Sequence, residues 1–197
     1  LCAGRARAEL DVVGVAVPNS RPRPVGRAAA RGGEMVWCEK PLATSPPEAE
    51  SMALAVGETP NLVWFNYRRI PAVVFAKQLI DEGRLGQTYH YRALYLNQSG
   101  NDPSKAGTWR YKRSESGLGA AGDLLSHSID SALYLTGPIT EWTAMMHTFV
   151  PGRDVDDDTF FLARYAMGCV GSFEATRSGV GSRNRHAGVS SRNPHRH

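Results

Sequence analysis

The stretch from Met35 to Gly57, MVWCEKPLATSPPEAESMALAVG, decides the fold. Met35 to Cys38 is short, apolar and free of polar alternation, which suits a strand covered on both faces, and it ends at Glu39-Lys40-Pro41. Ser45 can then cap a helix with Pro46 and Pro47 in its first turn, Glu48 at the capping-box position, Met52, Leu54 and Val56 following and Gly57 as the stop. Working outward toward the start, Asp11 to Val17 (DVVGVAV) is a second buried strand closed by Pro18-Asn19, and the alanine- and arginine-rich run from Arg23 to Arg31 predicts a helix stopped at Gly32-Gly33. Toward the end, Leu62 to Phe65 (LVWF) predicts a third strand, and Pro71 to Glu82 a helix with Val74, Ala76, Leu79 and Ile80 as its apolar stripe. The order β-α-β-α-β-α predicts a parallel sheet with right-handed crossovers, the second half of a Rossmann-type doubly wound domain.

After Gly86 the texture changes. Thr88 to Leu96 (TYHYRALYL) is aromatic and alternating, Gly122 to Leu135 is helical, and Ile139 to Phe149, Thr159 to Tyr165 and Cys169 to Ala175 read as strands. Ala166-Met167-Gly168 is a plausible hairpin loop, so a second, α+β domain with a mostly antiparallel open sheet is expected. The expected division is a partial dinucleotide-binding domain at 1–85, a substrate and oligomerisation domain at 86–177, and a disordered tail at 178–197. The tail (SGVGSRNRHAGVSSRNPHRH) holds almost no large apolar residue to offset its ordering entropy. Both ends read as cut. Removing the first strands of such a sheet would expose an edge and an apolar face, which predicts poor stability or association.

With 197 residues, 42% hydrophobic and 21% charged, the composition is that of a globular protein and excludes a disordered chain. No run approaches the roughly 18 apolar residues of a membrane span, and no secretory signal pattern is present, so a cytoplasmic protein with no membrane partner is expected. Cys2, Cys38 and Cys169 are odd in number and widely spaced, which predicts reduced, buried thiols rather than a disulfide framework. The net charge of +4 owes much to arginines near the two ends, so a nucleic-acid partner is not expected.

Three groups could carry chemistry. Gly117-Leu118-Gly119-Ala120-Ala121-Gly122 matches GxGxxG, but Trp109 to Ser116 before it reads as a mobile polar loop, not the buried strand that a dinucleotide fingerprint needs. Asp123 and His127, four apart on one helix face, have acid-base geometry; a dipole-favoured aspartate beside a packed ring fits the same spacing. They could also hold a metal in a lyase or hydrolase, but no third ligand stands near them, so no metal site is expected. Lys40 follows a strand end, where ligands bind in open α/β sheets, though a solvated loop lysine fits equally.

At these residues the chain resembles the glucose-fructose oxidoreductase, inositol dehydrogenase and MocA (Gfo/Idh/MocA) family from about Asp11 to about Arg177. The marks are DVVGVAVPN, CEKPLA at Cys38 to Ala43, FNYRR-PAV at Phe65 to Val73, LIDEGRLG at Leu79 to Gly86, TWR at Thr108 to Arg110 and GDLLSHSID at Gly122 to Asp130. The resemblance implies an enzyme that moves a hydride between NAD or NADP and a sugar, polyol or related secondary alcohol. It also implies a second domain whose open sheet forms homo-oligomer contacts. Lys40 would contact substrate and cofactor, His127 would be the acid-base residue and Asp123 its partner. Pro18, Asn19 and Glu39 would line the nicotinamide side, with Asn66, Arg68, Trp109 and Arg110 near cofactor or substrate. Two departures stand out: the family's glycine-rich loop and the residue that separates NAD from NADP should precede Asp11, and no histidine follows Pro18-Asn19. The alternative is a non-catalytic remnant that binds sugar or a partner.

Overall fold

The computed structural model describes residues 10–19, 32–102 and 107–191. The helix expected from Arg23 to Arg31 lies outside them. The first sheet consists of β1 (Val12–Val15), β2 (Met35–Cys38) and β3 (Asn61–Val63), all parallel and in that spatial order. Between β2 and β3 runs α1 (Pro46–Val56); Met52 packs from it onto Val15, Val36 and Cys38. β3 is shorter than expected because its partner ends: the Trp64 N–H donates to the Cys38 carbonyl at 2.8 Å, and the chain then turns into a 3-10 segment at Asn66–Arg69. From there α2 (Pro71–Asp81) leads to the second sheet.

That sheet holds β4 (Thr88–Leu96), β5 (Ile139–His147), β6 (Asp158–Tyr165), β7 (Val170–Thr176) and β8 (Arg183–Ser190), in the order β5-β6-β7-β4-β8. Its pairings are antiparallel except β4 with β7, which are parallel. One face packs on α4 (Ser126–Thr136) and the π-helical turn Ala121–Leu125 that starts it, burying Tyr91, Ala93, Leu124, Leu125, Phe161, Phe173 and Ala175 together. The other face is open. β5 stops at His147 because the Phe149 and Val150 N–H groups turn to the Asp157 carboxylate, at 3.0 and 2.8 Å.

Two expectations are corrected. Residues 183–190 of the expected disordered tail are β8, paired with β4 along its length from Leu96↔Arg183 to Thr88↔Ser190. Backbone ladder bonds and the Tyr91 hydroxyl bonded to His186 Nδ1 at 2.6 Å supply the ordering that side-chain apolarity does not. The polar run before the glycines is likewise ordered, as a 3-10 turn at Trp109–Tyr111 and a short α3 (Arg113–Ser116), with Tyr111 and Ser116 buried.

Candidate active site

Lys40 stands where β2 ends and reaches across to the second domain. Its Nζ donates to Asp123 Oδ1 at 2.8 Å and to the Asp123 backbone carbonyl at 2.6 Å. Its side chain is 12% exposed, so most of it is packed. Asp123 sits in the π turn, a distortion that often marks functional positions in helices. Its other oxygen, Oδ2, accepts from Arg177 Nη2 at 2.8 Å. Burial alone would push the Asp123 carboxyl up, but Lys40 and Arg177 together hold it below the usual carboxylate range.

The partnership expected of Asp123 and His127 is not a direct hydrogen bond: among the described residues none links the two side chains, and His127 Nδ1 is buried without a hydrogen-bond partner. Two cations within reach outcompete a neutral imidazole for the carboxylate, since charge-assisted bonds are about twice as strong as neutral ones. His127 is held by rings instead. Tyr67 stacks on it at 4.4 Å between centroids and 18° between planes, and Phe65 meets it edge-on at 6.1 Å. Burial, and then the Lys40 charge, push the His127 imidazole down to about 4, with Asp123 opposing. It is therefore neutral at pH 7, with one ring nitrogen free of a proton, and is a weaker base than an exposed imidazole.

The glycine-rich match has a structural use. The Gly119 and Ala121 N–H groups donate to the two oxygens of Asp156, each at 2.6 Å, and the Ala120 N–H to the Asp156 carbonyl at 2.9 Å. A Cβ on Gly119 would collide with that carbonyl. The anion at this helix start is supplied by the protein itself, so the N–H groups that a phosphate would need are taken.

Of the remaining expected residues, Asn19 bridges the domains, its Nδ2 donating to the Ser116 carbonyl at 3.0 Å. Pro18 is half-buried beside it, Glu39 is exposed next to Lys40, and Asn66 is exposed at the start of the 3-10 segment. Trp109 is half-buried and carries the Arg110 guanidinium over its ring at 4.6 Å. The Arg68 guanidinium is engaged by both oxygens of buried Asp130 and lies over the Tyr134 ring, so it braces α4. Among the described residues no group of three or more His, Cys, Asp or Glu could hold a metal ion.

Sequence reasoning missed Arg177, Tyr67 and Tyr95, whose ring centroid lies 6.2 Å from that of His127 and whose hydroxyl accepts from the Tyr67 hydroxyl at 3.0 Å. The signal for two of them was the period of the strands. Gly171, Phe173, Ala175 and Arg177 alternate onto the buried face, as do Tyr91 and Ala93 ahead of Tyr95, and an arginine placed inward by period two needs an acid.

Residues 5–67 match the family model described as "Oxidoreductase family, NAD-binding Rossmann fold", and residues 73–190 match the "GFO/IDH/MocA C-terminal domain". The chain belongs to the Gfo/Idh/MocA oxidoreductase family. Among the relatives, levoglucosan dehydrogenase of Pseudarthrobacter phenanthrenivorans is 37% identical over 201 residues, covering 89% of this chain and 52% of its own length. The scyllo-inositol 2-dehydrogenase (NAD(+)) of Bacillus subtilis is 27% identical, over 86% of this chain and 49% of its own. A solved levoglucosan dehydrogenase in complex with NADH and levoglucosan superposes with a TM-score of 0.87 at 38% identity, covering 91% of this chain and 52% of that one. The chain thus spans about half the length of the relatives it matches. The parallel sheet followed by an α+β domain is the family's architecture.

Proposed function

We propose that this protein oxidises a secondary alcohol of a sugar, anhydrosugar or polyol, with a nicotinamide cofactor taking the hydride. The observation that carries the reading is Lys40 Nζ, fixed by two bonds to Asp123 beside a neutral, ring-clamped His127. An ammonium has three donors, and Asp123 takes two, which leaves one N–H for a substrate oxygen. Lys40 is then placed to stabilise the alkoxide that develops as the hydroxyl ionises, and His127 to accept the proton. Asp123, already anionic between two cations, orients Lys40 and takes no proton.

The residues present suit the nicotinamide end of the cofactor: Pro18 and Asn19 after β1, and Glu39 and Lys40 after β2, stand together past the carboxyl ends of parallel strands, where open α/β sheets bind ligands. Bound there, the nicotinamide would supply the hydride-accepting carbon. The levoglucosan and inositol specificities of the relatives favour a cyclic polyhydroxy substrate.

The open face of the second sheet supports association with a second copy. Met145, Phe160, Leu162 and Val170 lie exposed on it, an apolar patch of the kind that marks interfaces. Sedimentation at graded concentrations should show a dimer or larger assembly that Phe160→Glu with Leu162→Glu dissolves. No helix of the described residues is long and apolar enough to cross a membrane. The free, buried thiols of Cys38 and Cys169 suit the reducing cytoplasm that we assign to it.

The test is alcohol-dependent reduction of NAD and NADP by the chain, with levoglucosan and inositols as the first substrates and Lys40→Met and His127→Ala as controls. Turnover lost in both variants supports the reading. Saturable sugar binding without reduction of either cofactor would replace it with a binding module.

A further inference from the structure

We propose that Arg177 is a positioning residue for this site: by taking Oδ2 of Asp123 it fixes the carboxylate on Lys40 and withholds it from His127. The inference rests on the reading of Lys40, Asp123 and His127 given above and adds a fourth member.

Arg177 is 2% exposed and held through its backbone N–H and carbonyl and through both Nη atoms. Its N–H donates to the Asp157 carbonyl at 2.9 Å, and its own carbonyl accepts from the Gly100 N–H at 2.7 Å. A Cβ on Gly100 would come within 2.5 Å of that carbonyl, so the approach requires glycine. Nη1 donates to the Arg110 carbonyl at 3.1 Å, Nη2 to Asp123 at 2.8 Å, and the guanidinium lies over the Tyr111 ring at 5.1 Å. A guanidinium so anchored cannot follow its partner, so Asp123 must follow it.

A carboxylate facing Lys40 alone could rotate, chelating the ammonium with both oxygens or turning toward the imidazole four residues on. Arg177 blocks both movements. Oδ1 is then the single side-chain oxygen left to Lys40, which sets where the ammonium stands, and His127 Nδ1 stays without a partner. The charged and titratable groups around this pair are Lys40 after β2, Arg177 at the end of β7, Tyr95 on β4, Tyr67 in the 3-10 segment and, touching Tyr67 edge-on, His186 on β8. Only Arg177 and Lys40 among them ion-pair with Asp123.

The test is the titration of the His127 imidazole by NMR in the whole chain, which needs no turnover. With Arg177→Met, Asp123 is freed toward the imidazole, and the midpoint should rise by about one pH unit. Arg177→Lys should restore part of the difference, and it decides the matter should the Met variant not fold. In an Asp123→Asn background, adding Arg177→Met should move the midpoint no further, because the effect runs through the carboxylate. An unmoved midpoint in a folded Arg177 variant, or a rise of the same size whether Asp123 is present or replaced by asparagine, would overturn the proposal. Where the chain turns over an alcohol, Arg177→Met should lower kcat roughly 10- to 100-fold with the cofactor KM unchanged, since orientation rather than binding is lost. A wild-type chain without turnover would count against the enzymatic reading while the imidazole titration still judged the clamp.

Discussion

Among the described residues, no strand of the first sheet exceeds four residues, and the buried apolar cluster beside it consists of Val15, Val36, Cys38 and Met52. In the second, strands of seven to nine residues carry a core that runs from Tyr91 to Ala175. The second also buries a polar frame: Asp156 caps the start of the π turn, Asp157 holds the 149–150 turn and pairs with Arg153, and Arg177 pairs with Asp123. The contrast shows a division of labour. The lightly packed half delivers Lys40 at a strand end, and the densely packed half fixes its position through Asp123. A lysine on a loop gains its geometry from the partner that receives it.

The sharpest way to break this contrast is Lys40→Ala. If the delivered lysine is the polarising group, kcat/KM for alcohol oxidation should fall by roughly 1000-fold in initial-rate measurements. Next come core truncations in each half. Phe173→Ala should cost about 4 kcal/mol and Met52→Ala about 2 kcal/mol in denaturant melts, because a larger ring leaves a larger cavity in the tighter core. The reverse order would end the claim that the second half is the more densely packed one.

A third prediction concerns acid. His127 is held neutral, down to about 4 from an ordinary value of 6.5, so the unfolded chain binds more protons than the folded one between those limits. Its contribution to stability is present above about pH 6.5 and lost as the pH falls toward 4. Melts across that window should slope downward with acid, and His127→Gln should flatten the slope. The smallest effect is expected from Arg68→Ala. Half-exposed Arg68 braces Asp130, so the variant should lower stability by about 1 kcal/mol and leave NADH affinity unchanged. A weakened cofactor affinity would return Arg68 to the role that the family resemblance implies.

Much of this was legible from residues alone. The three short parallel strands, the helices at Pro46–Val56 and Pro71–Asp81 and the change of texture at Gly86 followed from apolar runs and caps, and the motifs of the family resemblance pointed to Lys40 and Asp123, whose side chains the structure joins. What escaped were partnerships. Asp123 and His127 share a helix face, and spacing cannot reveal that two cations from distant strands claim the carboxylate first. β8 escaped for a related reason: Arg183 to Ser190 has little apolar content, and its order comes from the backbone edge of β4, which composition does not encode. The glycines from 117 to 122 resembled a phosphate loop, and the acid that fills their N–H groups lies 37 residues away from Gly119.

The measurement that bears most directly on the central claim is the fate of a deuterium placed on the carbinol carbon of a cyclic polyol or anhydrosugar. Incubated with the chain and oxidised cofactor, the label should appear at C4 of the reduced nicotinamide, and Lys40→Ala should abolish the transfer. Reduced cofactor without the label, or transfer undiminished in that variant, would contradict the account.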